Sequence, residues 1–494
     1  MPNTDRMILS SNSQGVRATQ AILVGLQLPG VSIEEVDASL DELERLAETL
    51  GLRAIARITQ RRSGAGAAAV LGAGKLRQLA RLTGGPGRVP AGATRRQKGA
   101  MPAEHPEDDT GDELALEFAE GVGDPGSDSG SDPDSDSDAQ GKAERPTVVL
   151  FDHDLTPSQL RNLEGATEAE VLDRSSVILS IFQRHARTRE ARLQVEIARL
   201  NYLAPRLRGA HVGGDRVRGG IGGKGAGESA LELDRRRVRD RIAELREELV
   251  YVQREAGVRR ARRSRLNGVA LVGYTNAGKS SLMRGLTGTD ALVEDQLFAT
   301  LDTATRMLQP PTLPKLLVSD TVGFIKKLPH DLIASFRSTL DEARTAALVL
   351  HVVDAADPEW RSQFEVTRQV MGELGAGESP SLVVLNKADR LDAPARDALA
   401  AEMPDAHIMS AHRPADVAAL RERIVAFFEQ DMVDAEIFVE YEHQRLVHTI
   451  YEACRVLDEK HEETGTLLRV RAPVAILDEL RGALQTAQDA ASAG

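Results

Sequence analysis

The run GYTNAGKS, Gly273 to Ser280, has the spacing G-x-x-x-x-G-K-S directly after the apolar stretch VALV. Glycines there let main-chain N–H groups converge on phosphate oxygens, and a helix beginning at that point adds favourable partial charge. Lys279 would reach the β and γ phosphates and Ser280 would ligate Mg²⁺, while Gly273, Tyr274, Thr275, Asn276, Ala277, Gly278 and Ser281 would complete the cradle. Elsewhere, Gly74-Lys75 is followed by Leu76 and Gly223-Lys224 by Gly225, so neither step carries the hydroxyl. Three further runs follow in order, each after an apolar stretch, where ligand sites form in open α/β sheets. In DTVG, Asp320 would hold the Mg²⁺ shell through water and the Gly323 N–H would meet the γ phosphate. In NKAD, Asp389 can accept hydrogen bonds from the N1 and N2 donors of guanine, which adenine does not present. Asn386 would orient that loop and contact the base edge, the Lys387 stem would cover the ring, and in SAH the Ala411 N–H, beside Ser410, would meet O6. Together these residues imply a pocket for GTP and GDP.

Hydrolysis needs a group that orients water and one that offsets developing charge. Phe324 follows DTVG where small regulatory GTPases carry a glutamine, so slow intrinsic turnover is expected, with stimulation by a partner, a retracted loop or a cation. Asn276 either helps to coordinate a K⁺ ion or hydrogen-bonds its own backbone. Thr300 is the candidate for the switch threonine that closes on Mg²⁺ and the γ phosphate, with Thr303 and Thr305 as competitors. Lys279, Thr300 and Gly323 form the candidate catalytic set, and Ser280, Thr300 and Asp320 the metal set. The histidines show no metal-ligand spacing, and Cys454 reads as a packed apolar residue.

The elements that must position these groups are legible as apolar runs. GVALVG, KLLVSD, ALVLHVVDA, SLVVLN and HIMSA are five parallel-type strands, which predicts an α/β domain with helices on both faces over 266–432. Upstream, AILVGLQL, RAIARI, TVVLF and EVL alternate with amphipathic helices and predict a small α/β domain over 21–173, after a disordered start at 1–20. Within it, residues 84–145 carry 15 Asp/Glu against 6 Lys/Arg and are poor in branched apolar residues, which predicts a disordered acidic insert. It reads either as a solvated linker or as an acidic mimic that shields a basic surface.

Residues 184–265 reverse the balance, with 22 Lys/Arg and 11 Asp/Glu, inside a chain whose formal charge is −13. Leu193, Ile197 and Leu200, then Val238, Ile242, Leu245, Leu249 and Val252, step by three and four and predict an antiparallel helical hairpin over 174–265 with a Gly-rich tip. Its Arg235, Arg236, Arg237, Arg239 and Arg241 are either a solvated face or a phosphate-binding surface for RNA. A small α/β domain closes the chain over 433–494, built from IFVEY, a helix from about 443 to 458, LLRVRA and a terminal helix. Sixteen aromatic residues are too few for reading single strands by base stacking. No apolar run is long enough to span a membrane, and neither a secretory signal nor a disulfide pair is present, so the expected compartment is the cytoplasm.

The four motifs in this order are similar to those of a translation-factor-class GTPase. The words around them resemble the HflX family of ribosome-associated GTPases: LFATLDTATR at 297–306, DTVGFIKKLPHDLIASFRSTLDEA at 320–343, LGAGKLRQL at 71–79, ARTREARLQVEIARLNYLAPRLRG and GGIGGKGAGESALELDRRRVRDRI. The likeness covers about 21–82 and 146–430, and the acidic insert departs from it, as do Ala226, Ser229, Ala304, Ser175 and Ser180. It implies a monomeric hydrolase that binds the large ribosomal subunit through its RNA, with the tip at 209–227 reaching toward the peptidyl-transferase region, and that splits or recycles stalled or idle ribosomes. Two alternatives share the motifs: a checkpoint GTPase in large-subunit assembly, and a nucleotide-gated RNA-binding module.

Overall fold

The computed structural model describes residues 19–89, 146–206, 230–263, 267–288, 297–298, 304–312, 315–327, 342–377, 379–430 and 432–492. Residues 90–145 of the acidic insert and the Gly-rich tip therefore lie outside the described residues, as do Thr300, Thr303 and residues 1–18. The expected bounds of the two disordered segments need correction: Thr19 and Gln20 already belong to a strand, and residues 84–89 pack with the fold, the Gly87 N–H donating to the Ala166 oxygen at 2.9 Å and Val89 lying against the core. The chain separates into two compact units, one formed by 1–181 with 200–239 and the other by 182–199 with 240–494.

In the first unit, β1 (Thr19–Gln27), β2 (Leu52–Arg61), β3 (Val148–Phe151) and β4 (Glu170–Asp173) form a parallel sheet in the order β2-β1-β3-β4. All four residues of β3 and six successive residues of β1 are buried, as a parallel strand covered on both faces requires. The covering helices are α1 (Ile33–Thr49), α2 (Ala73–Thr83) and α3 (Pro157–Thr167). In α1, Val36, Leu40, Leu43 and Leu46 recur at helical spacing and are buried, and Ser32 with Glu35 forms a reciprocal cap. Thr156 and Gln159 cap α3 in the same way, with Pro157 in its first turn.

Three long helices follow: α4 (Arg174–His185), α5 (Arg189–Leu203) and α6 (Ala230–Arg263). Leu193 and Ile197 on α5 are buried, as are Ile242 and Leu245 on α6. The pairs Arg189–Glu248 and Arg241–Glu196 run in opposite chain directions, which makes the two helices antiparallel where they meet. Ion pairs thus join the two helices, and four of the residues that the heptad spacing singled out, Leu193, Ile197, Ile242 and Leu245, are buried.

The second unit holds a six-stranded sheet, ordered β10-β9-β8-β5-β7-β6. Its strands are β5 (Asn267–Gly273), β6 (Ala304–Met307), β7 (Leu316–Asp320), β8 (Leu348–Asp354), β9 (Ser381–Asn386) and β10 (His407–Ile408). Every pairing is parallel except β6 with β7. The five strands expected from the sequence are present, and the short polar β6, ATRM, is an addition that its composition does not announce. Helices α7 (Lys279–Thr287), α8 (Trp360–Glu373), α9 (Ala393–Glu402) and α10 (Pro414–Glu429) cover it.

Beyond it, β11 (Met432–Glu440), β12 (Arg455–His461) and β13 (Gly465–Pro473) form an antiparallel sheet in the order β11-β13-β12. It packs with α11 (Gln444–Ala453) and α12 (Val474–Ser492) around Ile437, Ile450, Leu468 and Leu477. The expected helix to about 458 stops at Ala453, and the next residues form β12. Strand β12 is almost wholly exposed, so no alternation of apolar residues marked it in the sequence.

Candidate nucleotide site

The strand ends of the six-stranded sheet bring the four motifs together. Gly273 ends β5 so close to β8 that a Cβ on it would lie 2.1 Å from the Val352 carbonyl oxygen. Gly278 begins α7 with φ of 92°, and a Cβ there would lie 2.2 Å from the Asn386 amide nitrogen. Both positions therefore exclude any side chain, for steric reasons that the motif spacing alone does not display.

Lys279 is buried, and its Nζ donates to the Gly273 oxygen (3.1 Å) and the Tyr274 oxygen (2.7 Å). Burial pushes its pKa down to about 8, with the nearby charge of Lys387 adding and that of Asp320 opposing. A desolvated ammonium ringed by main-chain groups is poised to exchange its carbonyl partners for phosphate oxygens. The Ser280 hydroxyl donates to Asp320 Oδ2 at 2.7 Å, so a hydroxyl and a carboxylate from different motifs meet at one point. That pair is a hard oxygen donor set of the kind Mg²⁺ takes beside phosphate, so the residues fit the ion. Gly323 closes the cradle: a Cβ on it would fall 2.8 Å from Thr275 Cγ2 and 3.0 Å from Lys279 Nζ.

Asn386 joins two loops, donating to the Ala277 oxygen and accepting from the Ala411 N–H, both at 2.9 Å. The Ala411 N–H expected at guanine O6 thus donates to the Asn386 side-chain oxygen. Asp389 is exposed beyond this knot, and a hydrogen bond from Ser410 holds its carboxyl below the usual range. Lys387 adopts φ of 60° and pairs with Asp354 Oδ2 at 2.7 Å. The Ser410 N–H donates to Asp416 Oδ2 at 2.8 Å. Asp354 and Asp416 were missed by motif reading; the signal available for Asp354 was its place at the end of the apolar run ALVLHVVDA.

Several neighbours bear on the alternatives left open by the sequence. Thr305 lies on β6 with its hydroxyl 3.0 Å from both Ser319 Oγ and Glu342 Oε2, so it is committed to the sheet. Asn276 has φ of 59°, and among the described residues its side chain makes no hydrogen bond to its own backbone. Phe324 is buried in the core with Val272, Val349 and Met371. Its ring faces away from chemistry, and Phe324→Ala would cost ~3–5 kcal/mol of stability through the cavity left behind. In the same unit, the buried Phe298 meets the Phe182 ring edge-on, with centroids 4.7 Å apart. Cys454 is buried and its thiol is pushed up to about 11, in keeping with a packed residue. No cluster of metal-ligating side chains occurs among the described residues, and no helix among them is long and apolar enough to cross a membrane.

Three family models match this chain: a GTP-binding GTPase N-terminal region at 37–86 and 136–183, a GTP-binding GTPase middle region at 185–263, and a 50S ribosome-binding GTPase domain at 268–387. The GTPase HflX of Gluconacetobacter diazotrophicus is 54% identical over 94% of this chain and 97% of its own length. The chain belongs to the HflX family of GTPases. The Escherichia coli GTPase HflX is 39% identical over 76% of the chain and 85% of its own. A GTP-binding protein of Sulfolobus solfataricus solved with GDP is 20% identical, at a TM-score of 0.39, over 83% of this chain and 98% of its own. This HflX GTPase is accordingly a GTP-binding enzyme that hydrolyses GTP, built on an α/β P-loop domain with N-terminal and middle regions ahead of it.

Proposed function

We propose that this HflX GTPase binds the large ribosomal subunit through ribosomal RNA and uses GTP-dependent rearrangement to split or recycle stalled and idle ribosomes. The observation that carries the reading is the exposed arginine face of α6, with Arg236, Arg237, Arg239 and Arg241 in solvent, directly ahead in the chain of a domain matched by a ribosome-binding GTPase model. Arginine forks suit the phosphate oxygens of RNA, and neutralising several phosphates makes affinity strongly salt-dependent. In this reading the protein works as a cytoplasmic monomer, divided as 21–173, 174–265, 266–432 and 433–494.

Within the pocket, Lys279 neutralises the β and γ phosphates, the N–H groups of 273–281 cradle them, and Gly323 senses the γ phosphate. Asp389 selects guanine, and Asn386 and Lys387 fix the loop that presents it. Mg²⁺ held by Ser280, Thr300 and Asp320 would spread the charge of the phosphates. Asn276, with its side chain uncommitted to the backbone, would face K⁺ where a charge-stabilising group is otherwise lacking.

The test is ribosome sedimentation with GTP, together with GTPase rates with and without large subunits in K⁺ and in Na⁺. Splitting lowers the population of intact ribosomes, and an unchanged population with binding confined to precursors would favour an assembly checkpoint. Replacing Arg235, Arg236, Arg237 and Arg239 by Gln should flatten the dependence of affinity on salt by roughly one unit of log–log slope for each phosphate no longer neutralised. An unaltered slope removes α6 from the interface. An Asp389→Asn variant, which should prefer xanthine nucleotides, separates a switch from a binding module: binding that ignores which nucleotide is loaded would favour the module.

A further inference from the structure

The entry to the second switch is already bonded to the phosphate loop. The Phe324 N–H donates to the Gly273 oxygen at 3.1 Å, and the Thr275 N–H donates to the Phe324 oxygen at 2.8 Å, a parallel bridge between Tyr274 and Phe324. A third rung lies outside these two and is made by a side chain. The Lys326 N–H donates to the Tyr274 hydroxyl at 2.6 Å. Tyr274 is buried at 5% exposure, so its ring has little freedom and its hydroxyl is held at a fixed point. One residue further on, Lys327 turns with φ of 57°, so the extended stretch ends where the tyrosine rung ends. The Lys326 ammonium also meets Glu359 at 2.9 Å, just before α8, which steadies the same residue from the other side.

We propose that the Tyr274 hydroxyl is a positioning group for the GTP state, a latch that fixes the chain after DTVG so that the Gly323 N–H stands ready for a γ phosphate. The inference rests on Gly323 as the γ-phosphate contact. Its physical logic is preorganisation: an N–H held in place before the ligand arrives loses little freedom on binding. The Phe324 ring, anchored in the core, holds the near end of the stretch, and the Tyr274 hydroxyl holds the far end. Removing only the oxygen deletes the bond from the part-buried Lys326 amide to Tyr274 and loosens the far end of the stretch, where the pair with Glu359 holds only the side chain. GDP has no γ phosphate at Gly323, so its affinity should not register the loss. Tyr274 would thereby belong to the discrimination between tri- and diphosphate, a role distinct from that of the backbone N–H groups of the same loop.

Tyr274→Phe keeps the ring and deletes the acceptor. Calorimetry on the full chain with GDP and with a non-hydrolysable GTP analogue should show GDP affinity within twofold of wild type and analogue affinity reduced about tenfold. Hydrogen exchange of the GDP-bound protein should show the Lys326 amide losing protection. A structural role alone would weaken both nucleotides together. Equal changes for the two nucleotides, or a Lys326 amide as protected as before, overturn the latch. Exchange of the Gly323 amide in the wild-type protein tests the underlying contact separately: if it is protected equally by GDP and by the analogue, the γ-phosphate reading falls, whereas protection by the analogue alone without discrimination in Tyr274→Phe removes the latch alone.

Discussion

The parallel strands of the two larger sheets in this molecule end in opposite ways. At the carboxyl ends of β5 and β7, Gly273 and Gly323 keep side chains out, and the buried Lys279 is satisfied by main-chain oxygens that a ligand can replace. At the corresponding end of β3 and β4, side chains meet one another. Arg174 pairs with Asp152 at 2.7 Å and with Glu42, and Ser39 donates to Asp152 at 2.8 Å. Asp173 accepts from the Leu155 N–H, the Tyr202 hydroxyl and Arg206. Both Arg174 and Lys279 are buried, yet one has carboxylate partners and the other mainly dipoles. A buried cation with anionic partners supports a fold, whereas one held by carbonyls alone has electrostatic work left for an anion.

Mirror-image substitutions test that contrast. Arg174→Ala removes the guanidinium that pairs with the buried Glu42 and Asp152, which should cost ~3–5 kcal/mol in the N-terminal sheet. Since Trp360 is the sole tryptophan and packs beside β8 and β9, its fluorescence in the GDP complex reports on the other sheet. Circular dichroism should therefore show an early transition that Trp360 does not follow. A common loss in both signals would break the comparison. Lys279→Ala should do the reverse, with GDP affinity falling a hundredfold or more, ~3 kcal/mol, while the ligand-free protein unfolds no earlier than wild type. Retained affinity by calorimetry would mean that the lysine is structural.

A smaller effect concerns His351 on β8, buried and edge-on to Phe364 at 5.6 Å. Burial, with Arg368 adding, lowers its pKa to about 4. The unfolded chain takes up the proton first, so the stability contributed by the neutral ring is complete above pH 6.5 and is lost as pH falls toward 4. The loss should reach about 2 kcal/mol by pH 5. Denaturant titrations at pH 7 and pH 5 would measure it, and His351→Leu should remove the difference between them. A wild-type protein as stable at pH 5 as at pH 7 would show that the ring is hydrated.

Much of the nucleotide site could be read in advance because its chemistry is local. The sequence from Gly273 to Ser280 states its own backbone requirement, and the parallel strands that present it are apolar on both faces. Most of what escaped notice depends on contacts distant in the chain. Asp354 acts through Lys387, 33 residues on, with only its place at the end of an apolar run to mark it, and the core role of Phe324 depends on β5, β8 and α8; Asp416 lies six residues from Ser410 but stands outside every motif. Strands β6 and β12 were invisible for a simpler reason. They lie at sheet edges and are mostly polar or exposed, without the alternation that marks a half-buried strand.

Asn386 has a kinetic corollary. Because its amide ties the phosphate loop to the serine–alanine loop through protein groups alone, a nucleotide meets a receptor whose parts need no gathering. Guanine and adenine nucleotides should then arrive at similar speeds and differ in how long they stay, with selectivity expressed as residence time.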